Sequence, residues 1–415
     1  MTSNARPPLI ADPDLVTPEW LTEVLRYAGD IGDDTKVVSF DSSQIGTGQV
    51  GANIRYRLTY DGGDNPGPAT IVCKFASRDQ VSAATGIATL TYETEVAFYR
   101  DLSHTVDISH PRCYFAELVS GTADVVVVME DLAPAEQGDQ IAGCSVEQAT
   151  LAVEEAAKLH GPRWGDPALH ELAWLDRSST TGGMAGMLGA FWDGFVERYR
   201  STLDPVTLDA GPQLMALVPA LSAARPTPQT PVHTDYRLDN MLFGTADGGR
   251  PLTVVDWQTV QLGIGPSDVA YFLGNAVEPE VRRSCERDLV ARYHGALVDD
   301  YGVDGYSFDQ CWDDYVRSSY ASLIMAVFAS MMVGRTDRGD AMFMAMANRS
   351  AHMAADLDAP PHIRAGFRNN TDEFARRLAS YRHALRRDRR RSHLVGGARR
   401  RGRATARCFT RRDHD

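Results

Sequence analysis

The sequence predicts an α+β fold in two lobes, a small β-rich N-terminal lobe and a larger, mainly helical C-terminal lobe. Segments 53–60 and 69–76 have the composition and alternation of β-strands, and a short apolar strand follows at 125–129. Helical patterns dominate from residue 145 onward, most continuously over 277–385. The chain has 415 residues, 43% of them hydrophobic, which is enough for a core in each lobe.

The composition excludes several classes of protein. No apolar run reaches the roughly 18 residues of a membrane span, and residues 1–13 lack the apolar region of a signal peptide. Six scattered cysteines have no metal-binding spacing, which is typical of reduced thiols in a cytoplasm. The net charge is −13, although residues 382–415 alone hold 13 Arg, no Lys and 3 Asp. We therefore expect a cytoplasmic protein with an acidic body, no nucleic-acid partner and a disordered Arg-rich tail. For the tail, a basic arm for RNA or an anionic membrane and an accidental extension are the open alternatives.

The first predicted element is a helix. Thr17 is a suitable N-cap, Pro18 suits the first helical position, and Gly29 is a suitable end. Its apolar residues share one face, which we expect to pack on the N-terminal lobe: Trp20, Leu21, Val24 and Leu25.

A glycine-rich segment follows the predicted strand 36–40. Gly46, Gly48 and Gly51 form a G-x-G-x-x-G motif, and the strand pattern of 53–60 comes directly after it. A helix would follow the glycines in a dinucleotide-binding fold. A loop between two strands is instead typical of proteins that cover nucleotide phosphates with bare backbone. An ordinary hairpin turn is the open alternative.

Lys74 is one of only three lysines in the chain, and it lies inside the apolar strand 69–76. A lysine in this position can reach the α- and β-phosphates of a nucleotide if a carboxylate positions it. The helical stretch 90–102 supplies Glu93 and Glu95, of which Glu95 is favoured because its surroundings resemble a core. The alternatives are an edge-strand lysine with its ammonium in water and a glutamate on a solvated helix face.

The strand 125–129 ends where residues 130–134 begin a connector. A short connector between two lobes can hydrogen-bond an adenine through its backbone, and the Glu130 carbonyl and the Leu132 N–H are the candidates. A plain strand end is an equally good interpretation. Ser145 and Gln148 then form a capping box that opens a helix to about His160.

The segment 232–240 contains His233, Asp235 and Asn240 in the form H-x-D-x-x-x-x-N, and the apolar run before Asp256 reads as a buried strand. Phosphoryl transfer needs such a set, because one Asp accepts the proton of the attacking hydroxyl while an Asn and a second Asp hold the metal. A polar loop with a chance Asp and Asn is the alternative.

Three further features have mainly structural interpretations. Asp268 lies at a helix start, where it either caps the helix or braces the catalytic loop. The acidic residues within 298–315 are interpreted as a solvated face rather than as a lip for a cationic substrate. The methionines between 325 and 346 are expected to fill gaps in the core.

Taken together, these motifs resemble the aminoglycoside phosphotransferase and choline kinase-like family, including its ecdysteroid kinase-like group. The resemblance covers about residues 30–350, and its most specific parts are H-x-D-Y-R-L-D-N, V-V-D-W-Q and D-V-A-Y-F. It implies a protein-kinase-like two-lobe fold with an antiparallel N-terminal sheet. The implied domains are an N-terminal nucleotide-binding lobe at 1–132, a C-terminal lobe at 133–385 and a tail at 386–415.

The resemblance also implies roles for individual residues. Asp235 would be the catalytic base, and Asn240 and Asp256 would bind Mg²⁺. The nucleotide would be held by Gly46, Gly48, Gly51, Lys74, Glu95, Glu130 and Leu132. Two positions depart from the usual pattern: Thr234 replaces a Gly, and Trp257 replaces the Phe of the D-F-G motif of protein kinases.

The implied activity is ATP- and Mg²⁺-dependent phosphoryl transfer to a hydroxyl of a small molecule. A catalytically silent binding module on the same fold is the main alternative. A protein kinase is less favoured, because no A-P-E-like activation segment follows Asp256. A dinucleotide-dependent oxidoreductase is the least favoured, since a strand pattern follows the glycines. The sequence predicts neither the acceptor nor an oligomeric state.

Overall fold

The structure, a computed structural model, describes residues 5–46, 51–62, 67–177, 187–223 and 227–359. These residues all belong to one compact unit, 1–360. The third predicted domain, 386–415, lies outside the described residues. The predicted boundary between residues 132 and 133 stays a prediction.

The N-terminal lobe is built on a five-stranded antiparallel sheet with strand order β1-β2-β3-β5-β4. Its strands are β1 Lys36–Ile45, β2 Gly51–Asp61, β3 Thr70–Ala76, β4 Cys113–Leu118 and β5 Val125–Glu130. The strands predicted at 53–60, 69–76 and 125–129 are confirmed. β4 was not predicted. β1 extends beyond residue 40, and the sequence did not predict this extension because the exposed polar residues of β1 give little hydrophobic alternation.

Helix α1, Pro18–Tyr27, covers one face of this sheet. Thr17 accepts a hydrogen bond from the Trp20 N–H, and Gly29 follows the helix with φ 77°, as the sequence predicted. The predicted core face is buried against strand residues that share one side of the sheet, among them Ile71, Cys73 and Phe75. Because side chains alternate along a strand, Lys74 extends from the opposite side of β3.

Two short helices follow β3 in the chain, α2 Gln80–Ala88 and α3 Thr91–Ala97, and Glu95 of α3 contacts Lys74 on the other side of the sheet. A π-helical turn, Phe98–Leu102, continues α3, so the helix predicted at 90–102 is confirmed in outline. α2 was not expected. Leu90, between the two helices, adopts a left-handed conformation with φ 56°.

The remainder is mainly helical. Its helices are α4 Val146–His160, α5 Leu188–Tyr199, α6 Pro205–Ala223, α7 Pro266–Ala276, α8 Pro279–Asp299, α9 Phe308–Ser318, α10 Ala321–Met332 and α11 Asp337–Asp356. The capping box that opens α4 is present as predicted. An α+β two-lobe fold therefore follows from a β-rich first part and a helical second part. None of the described helices has both the length and the apolar character needed to cross a bilayer.

Two small sheets lie within the second lobe. β6 Glu136–Gln137, β8 Met241–Thr245 and β9 Gly248–Val254 form one, and β7 Thr230–Val232 pairs with β10 Gln261–Gly263 in the other. β7 leads directly into the motif that contains Asp235, and β9 ends two residues before Asp256. The ends of these strands bring the two predicted acidic residues to neighbouring loops.

Candidate active site

Lys74 lies at the centre of a partly buried ionic cluster. Its Nζ donates hydrogen bonds to Glu95 Oε1 at 2.8 Å and to Asp256 Oδ1 at 2.7 Å. Burial opposes the charged form of Lys74, but the two carboxylates outweigh this effect and raise its pKa. The ammonium is therefore fixed and charged, and it joins β3, α3 and the loop after β9.

Glu95 is the carboxylate that positions this lysine. Burial raises the pKa of Glu95, while the Lys74 charge and the Trp257 backbone N–H favour its ionised form. Glu93 has a different role, since its Oε1 accepts a hydrogen bond from the Gly121 N–H at 2.9 Å. The structure thus pairs Lys74 with the glutamate that the sequence favoured.

Packing of Trp257 holds the loop of Asp256 against the π-helical turn that continues α3. The Trp257 ring is fully buried and stacks on Phe98 with centroids 4.0 Å apart and planes parallel to within 1°. Asp256 itself has φ 68°, a conformation that non-glycine residues rarely adopt. Its second oxygen, Oδ2, accepts a hydrogen bond from Gln258 Nε2 at 3.2 Å.

The glycine segment lies between β1 and β2 in the chain. β1 and β2 pair up to Ile45 and Asn53 beside it, so a strand follows the glycines, as predicted. Gly46 has φ 71°, and Gly48 lies outside the described residues. A Cβ atom at Gly51 would lie 3.2 Å from Lys74 Cε, so a side chain there would press on the ionic cluster.

Asp235 accepts hydrogen bonds from three side chains. Arg237 Nε lies 2.9 Å and the Tyr271 hydroxyl 3.0 Å from its Oδ1, and Asn240 Nδ2 lies 2.9 Å from its Oδ2. Burial opposes ionisation of Asp235, but the charges of Arg237 and His233 and these hydrogen bonds outweigh it and lower its pKa. Asp235 is therefore a fixed carboxylate at neutral pH.

Asn240 connects the two loops. Its backbone carbonyl accepts a hydrogen bond from the Val255 N–H at 3.0 Å, one residue before Asp256. The Nδ2 atom of Asn240 donates to Asp235, so the Oδ1 atom of Asn240 points away from that carboxylate. An amide oxygen and a carboxylate are hard oxygen ligands that suit Mg²⁺, which keeps several waters and needs few protein groups. No cluster of three His, Cys, Asp or Glu side chains suited to a metal occurs within the described ranges.

Asp268 braces the backbone of the Asp235 loop, so the second of its two predicted roles is observed. It accepts hydrogen bonds from the His233 N–H at 2.6 Å and the Thr234 N–H at 3.0 Å. His160 Nε2 lies 3.3 Å from the same carboxylate. Thr234 has φ 65°, which explains why a glycine is usual here: a β-branched residue is strained in this conformation.

Replacing Asp268 by Ala is expected to lower the free energy of unfolding by about 3 kcal/mol. The variant leaves two buried backbone N–H groups without an acceptor, and each such loss costs about 1–3 kcal/mol. Urea unfolding followed by circular dichroism measures the change. The matched control is Asp313→Ala, on the exposed side of α9, which should change stability by less than about 0.5 kcal/mol. Equal effects of the two substitutions would show that Asp268 does not brace the loop.

The candidate nucleotide contacts of the connector lie at the end of β5. Glu130 is the last residue of that strand, and its Oε2 accepts a hydrogen bond from the Arg112 N–H at 3.1 Å. Leu132 follows Asp131, whose carboxylate is bound by Arg55 of β2 at 2.8 Å. The connector is thus tied to β2, the strand that follows the glycine segment.

Two other sequence interpretations can be compared with burial. Asp314 is buried and accepts a hydrogen bond from Tyr306, whereas the other acidic residues of the 298–315 segment are exposed, as in a solvated face. Met342, Met344 and Met346 are buried in α11, as expected of core residues, but Met332 is 48% exposed.

A sequence model of the phosphotransferase enzyme family matches residues 53–308, which is more than half of the chain. The chain belongs to this family. The match includes Lys74, Glu95, Asp235, Asn240 and Asp256. The ionic cluster and the loop that contains Asp235 therefore both lie inside the matched region. No curated protein matches the chain in sequence.

Solved structures of phosphotransferases are similar to the chain at low identity. The GDP complex of wild-type aminoglycoside 2′-phosphotransferase-IIIa is 14% identical, with a TM-score of 0.44, over 76% of this chain and 94% of that one. An ethanolamine kinase from Plasmodium vivax is 10% identical, with a TM-score of 0.45, over 80% of this chain and 87% of that one.

Sequence reasoning missed three residues of the candidate site. Arg237 and Tyr271 hold Asp235, and Gln258 holds Asp256. Each stood within a motif that was quoted, but the motif indicates only the order of residues and not the direction of a side chain. The spacing of Tyr271, three residues after Asp268 on α7, is the one signal that could have placed both on the same helix face.

Proposed function

We propose that this phosphotransferase moves the γ-phosphoryl group of ATP, in the presence of Mg²⁺, to a hydroxyl of a small molecule. The observation that carries the proposal is the contact of Lys74 with both Glu95 and Asp256. Phosphoryl transfer requires an ammonium at the nucleotide phosphates that is paired with a glutamate of a helix and lies beside an aspartate able to bind the metal.

Each side chain then has a defined task. Lys74 binds the α- and β-phosphates, and Glu95 fixes its direction. Asn240 and Asp256 would hold Mg²⁺, which when bound neutralises charge on the phosphates. The backbone around Gly46, Gly48 and Gly51 covers the phosphates, and Glu130 and Leu132 supply the adenine contacts.

Asp235 orients the acceptor hydroxyl and takes its proton. Its lowered pKa makes it a weak base, so its main contribution is to position the hydroxyl for in-line attack, with proton transfer late in the reaction. Because the folded-state pKa of Asp235 is lowered, its carboxylate stays ionised to a more acidic pH than that of an ordinary aspartate. An acid limb of the rate in the ordinary titration range of aspartate would therefore belong to another group.

A screen for acceptor-dependent ADP formation tests the proposal. The protein is incubated with Mg-ATP and hydroxyl compounds of different classes, namely amino alcohols, aminoglycosides, sugars and hydroxy acids. Stimulation of ADP release by one class, with a phosphomonoester product in ³¹P NMR, supports the proposal. Nucleotide binding without transfer to any compound would favour the silent binding module instead. Transfer only to protein substrates would favour a protein kinase.

A further inference from the structure

Arg177 connects two segments that are distant in sequence. It follows the short 3₁₀ turn Ala173–Leu175, and its Nη1 donates a hydrogen bond to the Gln258 carbonyl at 3.2 Å. Its Nη2 donates to the carbonyl of Thr89, at the end of α2. One guanidinium thus joins the α2–α3 turn of the N-terminal lobe to the loop after β9.

Both carbonyls lie beside residues in strained conformations. Leu90, directly after Thr89, has φ 56° and is 46% exposed, so packing contributes little to holding it. Asp256, two residues before Gln258, has φ 68°. Left-handed non-glycine residues cost about 1–3 kcal/mol and persist only where neighbouring contacts hold them. The two hydrogen bonds of Arg177 are contacts of this kind.

Each of the two segments leads to Lys74. Leu90 precedes the first turn of α3, the helix that carries Glu95. Gln258 donates its side-chain hydrogen bond to Oδ2 of Asp256, whose Oδ1 is bound by Lys74. By holding these two backbone segments, Arg177 therefore helps to position both Glu95 and Asp256, the carboxylates that bind the Lys74 ammonium.

We propose that Arg177 is a positioning residue. Its two hydrogen bonds keep α3 and the Asp256 loop in the arrangement that directs Lys74 at the nucleotide phosphates. This inference rests on the proposed function, since it assigns Lys74 to phosphate binding. Arg177 itself touches none of the reacting atoms.

The test is a double-mutant cycle on Mg-ATP affinity, measured by isothermal titration calorimetry with the full chain. Arg177→Met should weaken binding about tenfold, within the range observed for residues coupled through one network. The same substitution in a Lys74→Met background should change the affinity by less than about twofold, because the ammonium that Arg177 positions is then absent. Arg177→Lys, which can still reach one carbonyl, should restore part of the affinity.

Arg163→Met is the matched control. Arg163 is the last residue of a 3₁₀ turn of the C-terminal lobe and binds Thr105 of the N-terminal lobe at 2.9 Å, and its side-chain hydrogen bonds go to neither Thr89 nor Gln258. It should lower the melting temperature while leaving Mg-ATP affinity unchanged. Equal losses of affinity in the two variants, or an Arg177→Met effect that persists undiminished without Lys74, would overturn the proposal. If the wild-type protein did not bind Mg-ATP, the proposed function would fail first.

Discussion

The variant Asp235→Asn is expected to transfer the γ-phosphoryl group about 100 to 10,000 times more slowly than the wild type, the usual contribution of a positioned general base. An amide can accept a hydrogen bond from Arg237 or Tyr271, so the loop should keep its shape. It cannot take the proton of the acceptor hydroxyl. The rate is measured as ADP release with the acceptor that the screen identifies, and Mg-ATP affinity should stay within about threefold.

Asp239→Asn is the control for this substitution. It makes the same chemical change four residues later, in a side chain that binds Arg237 at 2.9 Å and Arg338 at 3.2 Å. We expect a loss of rate below about tenfold. Wild-type turnover by Asp235→Asn would show that Asp235 is not the base.

The variant Lys74→Met is expected to lower kcat/KM for Mg-ATP by about 100- to 1,000-fold, the usual loss when one charged group that stabilises the transition state is removed. Methionine fills a similar volume but leaves the phosphates without their cation. Glu95 and Asp256 also lose their shared partner, so repulsion between the two carboxylates and the phosphates is no longer offset. Steady-state kinetics at saturating acceptor gives the change.

Lys36→Met is the natural comparison, because Lys36 is 58% exposed at the start of β1 and forms only a 3.5 Å ion pair with Asp61. It should change kcat/KM by less than about twofold. If Lys74→Met and Lys36→Met behaved alike, Lys74 would not be a phosphate ligand.

Much of the fold and of the ionic cluster could be predicted, because local patterns indicate them. The alternation around Lys74 places it on the side of β3 opposite to Ile71 and Phe75. The capping residues Thr17 and Ser145 determine where α1 and α4 begin. In each case the signal lies within a few residues of its consequence.

The missed features depend on contacts over long distances in the sequence. Tyr271 reaches Asp235 across 36 positions, and Arg177 reaches Thr89 across 88. Neither direction can be inferred from local spacing, since it depends on how α7 and the 3₁₀ turns pack. The strand β4 was not predicted for a related reason: four of its six residues are only partly buried, so its hydrophobic alternation is weak.

We propose that Lys74, Asn240 and Asp256 form a nucleotide and metal site. Thermal unfolding with ATP, with and without Mg²⁺, tests it most directly on the wild type and on Asp256→Ala. A ligand at 100 times its Kd stabilises the folded state by about 2.7 kcal/mol, so we predict a rise in Tm of several degrees that requires Mg²⁺ and is lost in Asp256→Ala. No rise with Mg-ATP, or an equal rise in the variant, would contradict the claim.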